Sequence, residues 1–132
     1  MLISKLFVLI ILYCVFTSST VWGFGTKTSS STSSASPVWV TPLLTSGLTI
    51  NDKYFVIEEA GEYTIYVSCY GDSYRKEVYI NDNPVYVWVD KSQTLIETIN
   101  LVVGDTVSIR STTDHNTGTY KYCSVSAFIV KN

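Results

Sequence analysis

The chain has 132 residues, a formal net charge of −2 and 15% charged residues, which leaves one modest domain once an N-terminal leader is set aside. No basic stripe runs through it, so a nucleic-acid partner is excluded as a reading. One histidine and scattered acids give no catalytic or metal assignment, whereas 10 Tyr and 3 Trp crowd segments that alternate like strands.

Residues 1–25 read as a leader, either a signal peptide or a membrane anchor. Lys5 supplies a positive start, Leu6 to Phe16 form an apolar run, and Val21 and Gly23 fit the small positions of a cleavage site after Gly23. The apolar run is short for a span, which needs about 20 residues. Membrane contact is therefore expected only through residues 6–24, and only if the leader is retained. Either way the domain is secreted or displayed on an extracellular surface. Cys14 leaves with a cleaved leader, so Cys69 and Cys123 remain as a pair that either bonds or stays as two buried thiols.

Residues 26–37 carry Ser and Thr almost without interruption before Pro37 and read as a flexible linker. From residue 38 to 132 the signal has period two, broken by turn residues. Val38 to Val40, Leu48 to Ile50 and Lys53 to Ile57 are short candidate strands. Glu62 to Tyr70 follows, with Tyr63, Ile65, Val67 and Cys69 on one face. Ser73 to Ile80 and Pro84 to Asp90 flank Asn81-Asp82-Asn83, whose tightest part falls at Asn81-Asp82 because Asn83 precedes proline. Thr94 to Val103 and Thr106 to Arg110 make a hairpin around Gly104-Asp105, and Tyr120 to Val130 closes the chain. Such closely spaced strands, antiparallel by their short turns, predict an all-β, two-sheet sandwich. Periodicity alone leaves immunoglobulin-like and jelly-roll topologies open.

Two sets of rings stand out. If Val78, Ile80, Val85, Val87 and Val89 face the core, then Tyr79, Tyr86 and Trp88 share the outer face as a candidate ligand-binding patch. The other phase of the cysteine strand offers Tyr66 and Tyr70, with Tyr120 and Tyr122 beside them, as a candidate subunit interface. His115 beside Asp114 reads as a solvated loop histidine, since a Cys–His pair would need Cys123 free and close. Asp52, Asp72, Asp82, Asp105 and Asp114 sit in turns. Calcium is the one cofactor they suggest, and ordinary turn chemistry accounts for them without it.

Four features in fixed order resemble the complement globular-head and tumour-necrosis-factor-like jelly rolls. They are Phe55-Val56-Ile57 before Gly61-Glu62-Tyr63-Thr64-Ile65; Val78-Tyr79-Ile80-Asn81 before Pro84-Val85; Leu101-Val102-Val103-Gly104-Asp105-Thr106-Val107; and the terminal Ser126-Ala127-Phe128-Ile129-Val130. The resemblance covers about residues 50–132. It departs from the family in its shorter loops, in Ala127 and in lacking a collagen-like stalk. It implies a jelly roll in which the Gly-x-Tyr strand and the final strand are antiparallel neighbours. That neighbourhood would place Cys69 and Cys123 at the same end of the sandwich, as a bonded pair. It also implies a homotrimer assembled through that sheet. The function expected is a non-enzymatic recognition or adhesion head. A structural subunit of a filament, spike or coat and a carbohydrate-binding module are the alternatives, with a protein or glycan as the ligand.

Overall fold

A computed structural model of the chain describes Lys5 and residues 20–31, 37–71, 73–89, 94–113 and 121–132; the side chains of 29–31, 70, 71, 73, 74, 113 and 121–123 lie outside that description. Its strands are β1 (Trp22–Ser31), β2 (Pro37–Trp39), β3 (Thr41–Ser46), β4 (Leu48–Asn51), β5 (Tyr54–Ile57), β6 (Gly61–Gly71), β7 (Ser73–Ile80), β8 (Asn83–Trp88), β9 (Leu95–Leu101), β10 (Thr106–Thr113) and β11 (Lys121–Lys131). They form a five-stranded sheet ordered β3-β1-β11-β6-β9 and a six-membered group ordered β4-β5-β10-β7-β8, with β2 paired to β10 beyond β5. Every pairing is antiparallel, as the short turns require.

Alternation sets the core. On β6, Tyr63, Ile65 and Val67 are fully buried and Cys69 packs against them, as the period-two pattern predicts. On the facing strands, Val125, Ala127 and Ile129 of β11 meet Phe55, Ile57, Val107, Ile109 and Val78 from the opposite sheet. The expected adjacency of β6 and β11 holds along their lengths, from Tyr63 opposite Lys131 to Gly71 opposite Cys123.

Turn chemistry fixes the register. Asn81 and Asp82 both take positive φ (51° and 64°), the geometry of a two-residue hairpin whose twist matches its strands. Gly104 takes φ 92° at the β9–β10 turn, where Asp105 Oδ2 accepts the Val102 amide at 2.9 Å. The two turns are joined. Asn81 Nδ2 donates to Asp105 Oδ1 at 2.9 Å, and Asn81 Oδ1 accepts the Thr106 amide at 3.0 Å. The Gly-Asp and Asn turns read from the sequence are thus one locked corner.

The N-terminal boundary differs from expectation. β1 is an interior strand, paired with β11 from Trp22 to Ser31 and with β3 on its other side. Val21 and Trp22 are buried, and Gly23 and Gly25 face inward. A Cβ on Gly23 would stand 2.7 Å from the Phe55 ring, and one on Gly25 would stand 2.6 Å from Val40. Cleavage after Gly23, or an anchor running to residue 24, would take these residues out of the sandwich. Residues 26–31 are strand rather than linker: a hydroxyl-rich run such as Thr26-Lys27-Thr28-Ser29-Ser30-Ser31 supports a strand when a full-length partner supplies its hydrogen bonds. Residues 6–19, most of the expected leader, lie outside the described residues. Among the described residues no helix is long and apolar enough to cross a membrane.

Candidate functional site

The outer face of the six-stranded layer is built from the residues that alternate with its core set. On β10, Val107 and Ile109 point inward, so Ser108 and Arg110 point outward. Register places Arg110 between Trp39 of β2 and Glu77 of β7, and Ser108 opposite Tyr79. Glu77 is only 2% exposed, although it lies on the outer side. It is held there because Arg75 Nε pairs with its Oε1 at 2.8 Å, Arg110 Nε pairs with its Oε2, and the Tyr79 hydroxyl donates to Oε2 at 3.2 Å. A carboxylate removed from water needs such partners.

Rings and cations then stack on one another. Tyr79 and Trp39 have centroids 5.2 Å apart, with planes tilted by 57°. The Arg110 guanidinium carbon is 5.0 Å from the Tyr79 centroid and 5.3 Å from that of Trp39, and Lys53 Nζ lies 3.9 Å from the Trp39 centroid. These are cation–π contacts, with the ring quadrupole facing the charge. The hydrogen bond to Glu77, joined by that charge, raises the pKa of Arg110 above its ordinary value. Burial, helped by the Glu77 charge, raises that of Tyr79. Beneath the cluster, Ser108 is 1% exposed and its hydroxyl has no hydrogen-bond partner among the described residues.

An open cleft of about 390 Å³ adjoins Trp39 where β2 takes over from β5 along β10, and Lys27, Thr41, Asp52 and Lys53 line it beside the β2 backbone. Sequence reasoning missed Trp39, Lys53, Arg110, Arg75 and Glu77 as a group. A signal for Trp39 was present, because Val38 and Val40 on either side both belong inside.

The three rings expected to form a ligand patch are not brought together. Tyr79 faces outward as predicted. A β-bulge between Val78 and Tyr79 shifts the register, so that Tyr86 lies opposite Val78 and turns inward. Its ring packs against the core, and its hydroxyl donates to the Thr98 carbonyl at 3.0 Å, tying edge strand β8 to edge strand β9. Trp88 lies opposite the fully buried Lys76, on the inward phase at an open edge. Val85, Val87 and Val89, expected inside, are 42%, 45% and 54% exposed. The register passes over Val85, and that extra residue within β8 reversed the phase of the rest of the strand.

The other outer face belongs to the five-stranded sheet. Register lines up Leu44, Phe24, Phe128, Tyr66 and Ile96 across all five strands in one row. Phe24 and Phe128 are in contact, with centroids 4.8 Å apart, while Leu44 and Ile96 are 53% and 57% exposed at the two edges. Tyr66, expected at a subunit interface, sits in this row. Tyr120, Asp72, Asp114, His115 and Cys14 lie outside the described residues, as do the side chains of Tyr70 and Tyr122. Among the described residues no group of three His, Cys, Asp or Glu could hold a metal ion.

The expected disulfide is not formed. Cys69 is a free, half-buried thiol. Both cysteines do fall at the same end of the sheet, but Cys69 pairs with Val125, and Cys123 pairs with Gly71, two residues along. Diagonal neighbours of this kind are about 7–8 Å apart, beyond the usual Cα span of a disulfide.

Solved structures of similar fold include ligands of the tumour-necrosis-factor family. Murine APRIL at pH 5.0 superposes with a TM-score of 0.51 at 11% identity, covering 83% of this chain and 98% of that one. Murine APRIL at pH 8.0 gives 0.50 at 12%, with the same coverage. Pika GITRL gives 0.48 at 21%, covering 67% of this chain and 86% of that one. The fold is a tumour-necrosis-factor-like jelly roll. No family model and no curated protein sequence matches the chain. The jelly roll is therefore visible in the path of the backbone, and the residues on its faces must be read for themselves.

Proposed function

We propose that this chain is an exported, non-enzymatic recognition head that assembles as a homotrimer through the outer face of its five-stranded sheet. One observation carries the reading: the Leu44–Phe24–Phe128–Tyr66–Ile96 row is apolar or aromatic from edge to edge. The outer face of an antiparallel sheet normally alternates to polar residues where it meets water. A continuous apolar stripe there gains by being covered. The jelly-roll fold and the leader-like N-terminus support an extracellular head, and the aromatic–cationic face of the other sheet supplies a surface for recognition.

Light scattering on the purified protein tests this. Wild type is expected at three times the chain mass. Tyr66→Ser combined with Ile96→Lys, both surface changes, is expected to release monomer with an unchanged β-sheet circular dichroism spectrum. A wild-type monomer, or a double variant that stays trimeric, refutes the assignment.

A structural subunit is the second reading. Val85 and Val87 of β8, and Val89 just beyond it, are exposed along a strand that pairs on one side only among the described residues, which is the feature that lets sheets add to one another. A broad, concentration-dependent mass distribution in the same experiment would favour it over a discrete head.

A further inference from the structure

We infer that the cleft beside Trp39 binds an acidic saccharide, its carboxylate held by Lys53 and Lys27 and its ring seated on the Trp39 indole. The inference deepens the recognition-head reading by naming a ligand class. Three features point to it. Trp39 is a platform held by Tyr79 and Arg110 at 5.2 and 5.3 Å, and those two are themselves anchored on the buried Glu77. A preorganised ring loses little freedom when a sugar face is placed on it. Lys53, by contrast, has no carboxylate within ion-pair reach among the described residues, and its ammonium rests on the indole at 3.9 Å. A single cation–π contact is a weak tether, so the lysine can swing to an arriving anion and uncover the ring.

The polar lining of the cleft decides between ligand classes. Lys27 and Lys53 give two ammoniums against the one carboxylate of Asp52. An anion is attracted, although the chain as a whole carries −2. A poly-acidic peptide would set its carboxylates against Asp52. A sugar acid can direct its carboxylate to the lysines and donate its hydroxyl protons to Asp52, with the Thr41 hydroxyl beside it. The volume of about 390 Å³ suits a small ligand of one or two rings rather than a peptide helix or strand.

The test uses the whole protein, with 3′-sialyllactose as the acidic sugar, lactose as its neutral counterpart and hexaglutamate as the acidic peptide. Saturation-transfer NMR and titration calorimetry give the affinities. Sialyllactose is expected to bind with a Kd of about 1 mM, to weaken as salt rises from about 0.05 to 0.5 M, and to lose about tenfold in affinity on Trp39→Ala or Lys53→Gln. Lys53→Arg should retain most of it. Circular dichroism and an unchanged mass show that the variants fold.

Lactose binding as well as sialyllactose, hexaglutamate binding better than either, no binding of sialyllactose, or full affinity in Trp39→Ala and Lys53→Gln would each overturn the inference. Failure here is separable from failure of the trimer. A monomer that binds sialyllactose refutes the assembly alone, and a trimer that does not bind it refutes the ligand class alone.

Discussion

Substituting Gly23 by alanine tests whether the domain begins before residue 23 or after it. The added methyl would stand 2.7 and 2.8 Å from two carbons of the Phe55 ring and 3.0 Å from Ile129 Cγ2. Carbon atoms in contact prefer about 3.5–4.0 Å, so the ring must retreat by nearly 1 Å. Phe55 is 1% exposed, and Ile129 is fully buried, so neither can turn into solvent. Overpacking of this kind costs about 1–3 kcal/mol. Replacing glycine within a strand returns about 0.5–1 kcal/mol through the stiffer unfolded chain. The net is a loss of about 1–2 kcal/mol, or roughly 5–15 °C in Tm for a domain of this size. Urea denaturation should show a lower midpoint at an unchanged slope. A neutral or stabilised Gly23→Ala would mean that the glycine lies outside the core. So would an exported, folded protein whose first residue is Phe24, because cleavage there removes the buried Val21, Trp22 and Gly23 altogether.

Tyr63 is fully buried and donates its hydroxyl to the Glu59 carbonyl at 2.6 Å; burial first, and then the Glu59 charge, raise its pKa above 10. The unfolded chain therefore ionises before the folded one, and stability falls as pH climbs above about 10. Tyr63→Phe should lessen that slope and cost about 1 kcal/mol at neutral pH through the lost hydrogen bond; equal alkaline slopes in the two proteins would refute the assignment. Glu77→Gln should destabilise by about 1–3 kcal/mol in urea, below the usual penalty for breaking a buried pair, because Arg75 and Arg110 are exposed enough to rehydrate. An unchanged midpoint would mean that the carboxylate does not organise that face. Thiol titration of unfolded, unreduced protein should find Cys69 reactive; if neither Cys69 nor Cys123 reacts, β6 and β11 have shifted to bring them together.

Alternation made the core legible wherever a strand had one pure phase. Tyr63, Ile65, Val67 and Cys69 read correctly because every second residue is large and apolar, and Asn81-Asp82 read correctly because consecutive positive φ angles are a property of those side chains. β8 did not read. Val85-Tyr86-Val87-Trp88 is apolar on both phases, so composition cannot say which side is inside, and a bulge at Val85 decided it. β1 did not read either. Its residues look like leader and then tether, and only pairing with β3 and β11 supplies the energy that makes Trp22–Ser31 a strand. The first case turns on a single bulged residue that composition does not mark, and the second on pairing with β11 about a hundred residues away, which no local window contains. The aromatic–cationic cluster failed for a related reason: Trp39, Lys53, Glu77 and Arg110 lie far apart in the chain and meet only through β10.

The two outer faces divide the surface by chemistry. Across the five-stranded sheet the central row is hydrocarbon and aromatic, and the neighbouring row of Thr26, Ser126 and Ser68 is small and hydroxylic. Nothing in that strip discriminates between ligands, but it can close against copies of itself with few charges to desolvate. Across the six-stranded layer the corresponding positions are Trp39, Arg110 and Glu77, costly to bury against a flat partner and well suited to a directed polar ligand. If the first face lies on a three-fold axis, the second necessarily points away from it in each subunit, and the Trp39 clefts are displayed together. Millimolar sites so displayed engage a densely coated surface with avidity that one cleft cannot reach, provided their spacing matches that of the ligands. Binding of the trimer to a sialylated surface should then exceed that of the Tyr66→Ser, Ile96→Lys monomer by well over the factor of three that counting sites would give. Equal binding per subunit would show that assembly and recognition are unconnected.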